Sequence, residues 1–305
     1  MTSTLRAGVI GAGVFGGYHA AKYVELPDVT LTAVLDPHPE RAAALAERYG
    51  AAAFSDLAGF LAAVDVVSIA APAVTHGALA LSVLRAGKPA YVEKPIATAL
   101  EDADLIVAEA ARRALTVACG FLERAAFAAM GLFEIGRPPL RMEAARMGPL
   151  SPRNLDVSVV VDLMIHDLDL ALALTRSPPL AVEAEGSRVA HDLLDDVEAE
   201  VSFEDGFTAA FRASRVADDR ARTLTLFYPD GEVRLDLLTH AFVNSTPHRL
   251  NADWESTPAG RDRLGASLGA FLAAARGEAP RPLADAADGA RALDLALAVE
   301  QAVGG

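Results

Sequence analysis

The chain has 305 residues, 52% of them apolar or aromatic, with 41 acidic against 27 basic side chains and a formal net charge of −14. Such a length predicts two domains of roughly 120 and 180 residues. So acidic a surface excludes a nucleic-acid binder, which needs clustered Lys and Arg, although backbone amides or a few arginines can still hold an anionic ligand.

No apolar run reaches the roughly 18 residues of a membrane span, and Met1-Thr2-Ser3-Thr4-Leu5-Arg6 runs into a strand pattern with no signal-peptide layout. The single cysteine, Cys119, reads as a small core residue. A cytoplasmic protein without disulfides is expected.

Residues 5–10 read as a strand, followed by a glycine-rich turn and helical spacing over 15–24. A second strand, 31–35, ends at Asp36-Pro37, and 40–49 repeats apolar residues at helical intervals until Gly50 stops it. Residues 64–70 are short, apolar and rich in β-branched side chains, as befits a parallel strand buried on both faces. A helix over 76–86 closed by Gly87, a strand over 90–93, a helix over 100–114 and a strand over 115–119 follow. The alternation predicts a doubly wound parallel sheet, a Rossmann domain over 1–119.

Beyond residue 120 strand patterns succeed one another at 140–147, 181–189, 198–203, 208–214, 223–228 and 232–237, with hairpin turns at Glu204-Asp205-Gly206 and Pro229-Asp230-Gly231. Helices are expected at 162–174, 262–275 and 283–303. The second domain, 120–305, is therefore α+β on a mainly antiparallel sheet, with its last helix able to pack back on the Rossmann domain. The open face of that sheet suits a homodimer or homotetramer.

Gly11-Ala-Gly13-Val-Phe-Gly16 sits between a strand and a helix, where the dinucleotide fingerprint belongs: the first glycine for a tight turn, the second for pyrophosphate approach, the third for close helix packing. Twenty residues on, Asp36 can accept the adenine ribose hydroxyls and would repel a 2′-phosphate, which favours NAD over NADP; a plain turn aspartate before Pro37 is the alternative. Glu93-Lys94-Pro95 ends a parallel strand, where such sheets bind ligands, so Lys94 either faces a cleft or lies in an ordinary exposed turn. His76 is placed to reach a cofactor or to cap its helix, the structural role being the stronger.

In Asp162-Leu-Met-Ile-His166-Asp167-Leu-Asp169, Asp162 and His166 share a helix face, Asp169 lies near it and Asp167 points elsewhere. A carboxylate beside an imidazole suits a histidine that takes a proton from an alcohol; carboxylates at a helix start around a structural histidine are the alternative. Cysteine clusters and His-Glu-x-x-His spacing are absent from the sequence, so no metal is expected.

In this order, with Val64-Asp-Val-Val-Ser-Ile-Ala-Ala-Pro72 and Ala86-Gly-Lys-Pro-Ala-Tyr-Val-Glu93-Lys94-Pro95 added, the motifs resemble the family of glucose-fructose oxidoreductase and inositol 2-dehydrogenase. The resemblance implies an NAD-dependent dehydrogenase acting on CH–OH groups of a sugar-like substrate. It implies Lys94, Asp162 and His166 as the catalytic group and Gly11, Gly13, Val14, Phe15, Gly16, Asp36, Ala71, Pro72, His76, Glu93 and Lys94 as cofactor contacts. The stretches Gly120-Phe-Leu-Glu123-Arg124, Gly148-Pro-Leu-Ser-Pro-Arg153 and 156–169 look like the UDP-N-acetylglucosamine 3-dehydrogenase branch, whose 3-keto product leads toward amino sugars of lipid A. Relatives often continue Glu-Arg with Phe-Asn-Pro, whereas this chain reads Arg124-Ala-Ala-Phe. Arg124, Arg146, Arg153 and Asp169 are the expected substrate contacts, the arginines because planar multiple donors suit a diphosphate. An inositol or free-sugar dehydrogenase is the alternative within the family, and a catalytically silent NAD-binding regulator the alternative of another class.

Overall fold

The computed structural model describes residues 4–151 and 156–304. The chain divides into two compact units, Met1–Leu122 with Asp262–Ala290, and Glu123–Arg261 with Arg291–Gly305.

In the first unit, β1 (Leu5–Ile10), α1 (Val14–Glu25), β2 (Val29–Leu35), α2 (Pro39–Tyr49), β3 (Ala52–Phe54), α3 (Leu57–Ala62), β4 (Val66–Ile69), α4 (His76–Arg85), β5 (Ala90–Val92), α5 (Leu100–Arg113) and β6 (Val117–Cys119) alternate as expected. All neighbouring strands pair in parallel in the order β3-β2-β1-β4-β5-β6. That order reverses between β1 and β4, which opens a crevice at the carboxyl ends of the strands. β4 is buried along its whole length, which is why it reads as an unbroken apolar run.

The sequence reading lacked β3 and α3. β3 is a three-residue edge strand with two exposed alanines and no alternation to detect, and α3 has only six residues, started by Asp56 Oδ1 accepting from Gly59 N at 2.7 Å.

The second unit holds α6 (Glu123–Met130), β7 (Arg141–Met147), α7 (Ile165–Thr175), β8 (Pro179–Ser187), β9 (Asp196–Phe203), β10 (Thr208–Ser214), β11 (Ala221–Tyr228), β12 (Gly231–Asp236), β13 (Phe242–Asn244) and α8 (Pro258–Arg261). Its seven strands run in the order β13-β12-β11-β7-β10-β9-β8, antiparallel throughout except where β7 lies parallel to β10. Alternation is clear in β9, where Val197, Ala199, Val201 and Phe203 are buried and Glu198 and Glu200 exposed. The other face is open and acidic, a shallow depression lined by Glu143, Glu183, Glu185, Glu198 and Glu200 among others.

α9 (Arg263–Ala275) and α10 (Ala286–Gly304) complete the chain. Residues 262–290, expected in the second domain, belong to the first unit. α9 buries Leu268, Phe271 and Leu272 in one cluster with Tyr23 and Tyr91, Cys119 N donates to Ala284 O at 3.0 Å, and Gly289 leaves no more than 3.2 Å between an added Cβ and Ile96 or Cys119. Among the described residues no helix is long and apolar enough to cross a membrane.

The glycine turn after β1 gives a stability test. A Cβ on Gly16 would lie 1.7 Å from Gly11 O, a backbone atom that cannot yield, whereas one on Gly13 meets nothing within 4 Å. Gly16→Ala is expected to lose about 3 kcal/mol or more, the upper end of overpacking costs, and Gly13→Ala to lose almost nothing. Thermal unfolding followed by circular dichroism distinguishes them; equal melting temperatures would contradict this packing.

Candidate functional site

At the crevice of the first unit, Gly11 adopts φ +97°, a backbone conformation open to glycine. Gly13 gives α1 no side-chain cap and the first turn holds no acidic residue. The first-turn N–H groups therefore suit an anion, and the open space over Gly13 admits one. Val14 and Phe15 are exposed there. Asp36, 5% exposed, ends β2 with Oδ2 accepting from Ala12 N at 2.7 Å and Oδ1 from His38 N at 2.8 Å. The carboxylate is thus tied to the glycine turn itself. These residues fit the dinucleotide that the fingerprint implies.

Further along the strand ends, the His76 ring is buried, with Nδ1 2.6 Å from Pro95 O and Nε2 2.9 Å from Ala71 O. Each ring nitrogen lies within hydrogen-bond distance of a backbone carbonyl and a neutral ring donates to one of the two, which places His76 between Ala71 and Pro95 in the structural role the sequence favoured. Pro72, next to Ala71, starts the short turn before α4. Glu93 is buried and its Oε1 lies 2.8 Å from His19 Nε2. Lys94 is half-buried at the end of β5.

In the second unit the expected Asp162–His166 helix begins with a π-type turn, Val160–Met164, that continues into α7. Such wide turns recur at functional sites. Arg215 anchors the approach: Nη1 donates to Val157 O at 2.9 Å, Nη2 to Leu194 O at 3.1 Å and Nε to Asp195 Oδ1 at 2.8 Å. The helix is apolar around its circumference, with Val160, Val161, Met164, Ile165, Leu168, Leu170 and Ala171 buried. Its ionisable groups therefore sit in protein and need partners.

The partners come from α6 and β7. His166 Nδ1 lies 2.8 Å from Glu123 Oε2. Arg146 Nη1 donates to Glu123 Oε1 at 3.0 Å, while Nε and Nη2 donate to Asp167 Oδ2 and Oδ1 at 3.1 and 2.9 Å. Arg124 Nε and Nη2 donate to Asp169 at 2.8 and 2.6 Å. Burial alone would raise the Glu123 carboxyl, but the charges of His166 and Arg146 outweigh it and hold the group well below the usual carboxylate range. Burial likewise opposes the Arg146 charge, and Asp167 and Glu123 overcome it.

The structure places three of the expected substrate contacts in ion pairs. Arg124 and Arg146 are the cationic halves of buried ion pairs, their side chains 8% and 4% exposed, and Asp169 is the 1% exposed partner of Arg124. Each guanidinium turns two nitrogens toward a carboxylate of this chain. Asp162 is 9% exposed in the π-type turn. Arg153 lies outside the described residues. Sequence reasoning missed Glu123 as the carboxylate on His166 and His19 as the partner of Glu93. Among the described residues no group of three His, Cys, Asp or Glu is arranged to hold a metal ion.

Because the folded-state pKa of Glu123 is depressed, its contribution is present above the unfolded value near about 4.3 and is lost as pH falls below it. Glu123→Gln is expected to cost about 3–5 kcal/mol at pH 7, the range for breaking a buried pair by removing one partner. The gap between variant and wild-type melting temperatures should narrow as pH drops toward 3. A gap independent of pH over that interval would show that the carboxylate charge is not what the site uses.

Comparisons with known proteins agree with this architecture. A family model described as "Oxidoreductase family, NAD-binding Rossmann fold" matches residues 5–121, and one described as "GFO/IDH/MocA C-terminal domain" matches residues 141–234. UDP-N-acetylglucosamine 3-dehydrogenase of Acidithiobacillus ferrooxidans is 36% identical over 98% of this chain and 97% of its own. Its crystal structure superposes with a TM-score of 0.91 over 99% of this chain and 98% of that one. Inositol 2-dehydrogenase of Rubrobacter xylanophilus is 34% identical over 55% of this chain and 51% of its own length. The chain belongs to the NAD-binding oxidoreductase family of glucose-fructose oxidoreductase and inositol 2-dehydrogenase.

Proposed function

We propose that the protein oxidises the 3-hydroxyl of UDP-N-acetylglucosamine, with NAD as the hydride acceptor. The observation that carries the chemistry is the His166–Glu123–Arg146 chain. With Nδ1 turned to the Glu123 carboxylate, Nε2 is the nitrogen through which the ring exchanges a proton with the substrate hydroxyl. Glu123, Asp167 and Asp169 face Arg124 and Arg146, one carboxylate in excess, so an imidazolium at His166 brings this cluster to balance. The family resemblance adds Asp162, in the turn before His166, as an assisting carboxylate. Lys94 stabilises the developing alkoxide. Bound NAD supplies the electrophilic ring that receives hydride.

The choice of substrate rests on the full-length similarity to UDP-N-acetylglucosamine 3-dehydrogenase. Similarity to an inositol 2-dehydrogenase over about half the chain favours inositol as the second reading. On the first reading the product is a 3-keto sugar nucleotide fit for transamination toward the amino sugars of lipid A, a cytoplasmic reaction. Arg153 is the remaining sequence candidate for the diphosphate. The open face of the second unit's sheet is the surface through which a homodimer or homotetramer would assemble, which sedimentation would read; a monomer would refute it.

Asp36 gives the cofactor test. Its carboxylate, fixed at the end of β2, is expected to make NAD bind more tightly than NADP, and Asp36→Ala should relax that preference. Tighter NADP binding by the wild type in calorimetry would remove Asp36 from the ribose site.

The catalytic test measures NAD reduction with UDP-N-acetylglucosamine, its 4-epimer, inositols and simple aldoses. Reduction is expected with UDP-N-acetylglucosamine, and Lys94→Ala and His166→Ala should each lower turnover at least about a hundredfold, the low end for a positioned acid or base. Asp162→Asn should cost less. Activity confined to inositols or free hexoses would replace the substrate while keeping the dehydrogenase, and normal turnover in either alanine variant would move the site.

A further inference from the structure

The first unit buries a polar chain that a Rossmann sheet does not require. On α1, Gly16, His19, Ala20 and Tyr23 form the buried face, and His19, Tyr23 and Ser68 of β4 are fully enclosed. Tyr23 Oη lies 2.7 Å from Ser68 Oγ, Ser68 Oγ 3.0 Å from His19 Nδ1, and His19 Nε2 2.8 Å from Glu93 Oε1. A carboxylate only accepts, so Nε2–H donates to Glu93. Nδ1 then accepts from the Ser68 hydroxyl, which accepts from Tyr23. Burial holds the Tyr23 phenol protonated, so it remains a donor.

This one direction of donation satisfies every member of the chain with a single ring proton. It delivers that proton to a residue that immediately precedes Lys94. On its other side Glu93 abuts Gly120, where an added Cβ would lie 2.8 Å from Oε2, and the Glu93 backbone N–H donates to Ile69 O at 3.0 Å. Glu93 is therefore held at its backbone and at one carboxylate oxygen, with the other packed close against Gly120. Lys94 is followed by Pro95, whose carbonyl is pinned by His76 from α4.

We infer that His19 and His76 form a bracket around Lys94: His19 fixes Glu93, His76 fixes Pro95, and together they set the backbone from which the lysine side chain reaches. Both are positioning residues. This inference rests on the role proposed for Lys94. A lysine has a long flexible stem, so fixing its origin is the means the fold has of limiting its reach. Misplacement by about 1 Å is enough to cost on the order of a hundredfold in rate. Apolar side chains would fill the space between α1 and the sheet without the desolvation of a buried carboxylate. The polar chain therefore answers to geometry at Lys94.

The chain has three lysines, Lys22, Lys88 and Lys94, so reductive methylation read by peptide mass spectrometry reports Lys94 against two internal references, without any substrate. In His19→Leu, Lys94 should be methylated severalfold faster relative to Lys88, and turnover with UDP-N-acetylglucosamine should fall at least about tenfold at nearly unchanged KM for NAD. His19→Gln keeps an N–H toward Glu93 and should recover most of both. If His19→Leu does not fold, Ser68→Ala, which removes the donor behind the imidazole, should shift both readouts in the same direction. Unchanged Lys94 methylation and turnover in a folded variant would overturn the bracket, as would equal acceleration at all three lysines, the mark of general loosening. Lys94→Ala separates the two claims: full turnover there refutes the role of Lys94, while the methylation rates still decide whether the histidines hold it.

Discussion

The second unit is organised by the cost of placing charge on a buried helix. α7 and its preceding π-type turn are enclosed by apolar contacts on nearly every side, yet within eight residues they carry Asp162, His166, Asp167 and Asp169. Each such group left unmatched would cost several kcal/mol in desolvation. The positions of Arg124, Arg146 and Glu123 follow from that demand. α6 supplies the first arginine and the glutamate, and β7 supplies the second arginine from an inward-facing position. Arg146 in particular serves two carboxylates from three nitrogens. A planar guanidinium can do this; an ammonium on the same strand could not present the same fork.

The first unit meets a different constraint with related means. Its ligand crevice forms because strand order reverses between β1 and β4, and the backbone there is fixed by close approach: Gly16 against Gly11, Gly11 against Ala70. Side chains at the strand ends are then held by hydrogen bonds back to those turns. Asp36 accepts from the glycine turn, His76 lies between the Ala71 and Pro95 carbonyls, and His19 holds Glu93. In both units a histidine and a carboxylate are paired inside the protein. In the second a guanidinium completes the pair, and in the first two hydroxyls do.

The alternation of strands and helices in the first half, the fingerprint glycines and the strand repeats of the second half were legible because each rests on local periodicity. β3 and α3 escaped because three and six residues carry too little pattern. The return of residues 262–290 to the first unit was hidden because nothing local distinguishes an apolar helix packing on one core from one packing on another. The site was legible by residue type more than by partner. Glu123 and His166 are 43 residues apart and His19 and Glu93 are 74 apart, so neither pairing leaves a spacing signal. One signal did exist for the arginines. Acidic residues on a helix as apolar as α7 require buried cations, and Arg146, between Ala145 and Met147 on a strand pattern, was a visible candidate.

The same accounting explains why so much charge is tolerated in the second unit. Replacing a buried ion pair by apolar side chains of similar volume is often neutral or stabilising, so stability alone gives weak reason for the Glu123–Arg146–Asp167 cluster. Its consequence is directional. Arg146 fixes the plane of the Glu123 carboxylate through one oxygen, and the other oxygen then fixes the His166 ring through Nδ1. The ring cannot rotate without breaking that bond, and Glu123 cannot follow it without leaving Arg146. Asp167 holds the guanidinium from the next position on the same helix as His166, so the helix that carries the histidine also carries the anchor of its support. A histidine so fixed keeps its tautomer and its aim before any ligand arrives, the condition under which proton transfer needs no reorganisation at the moment of reaction.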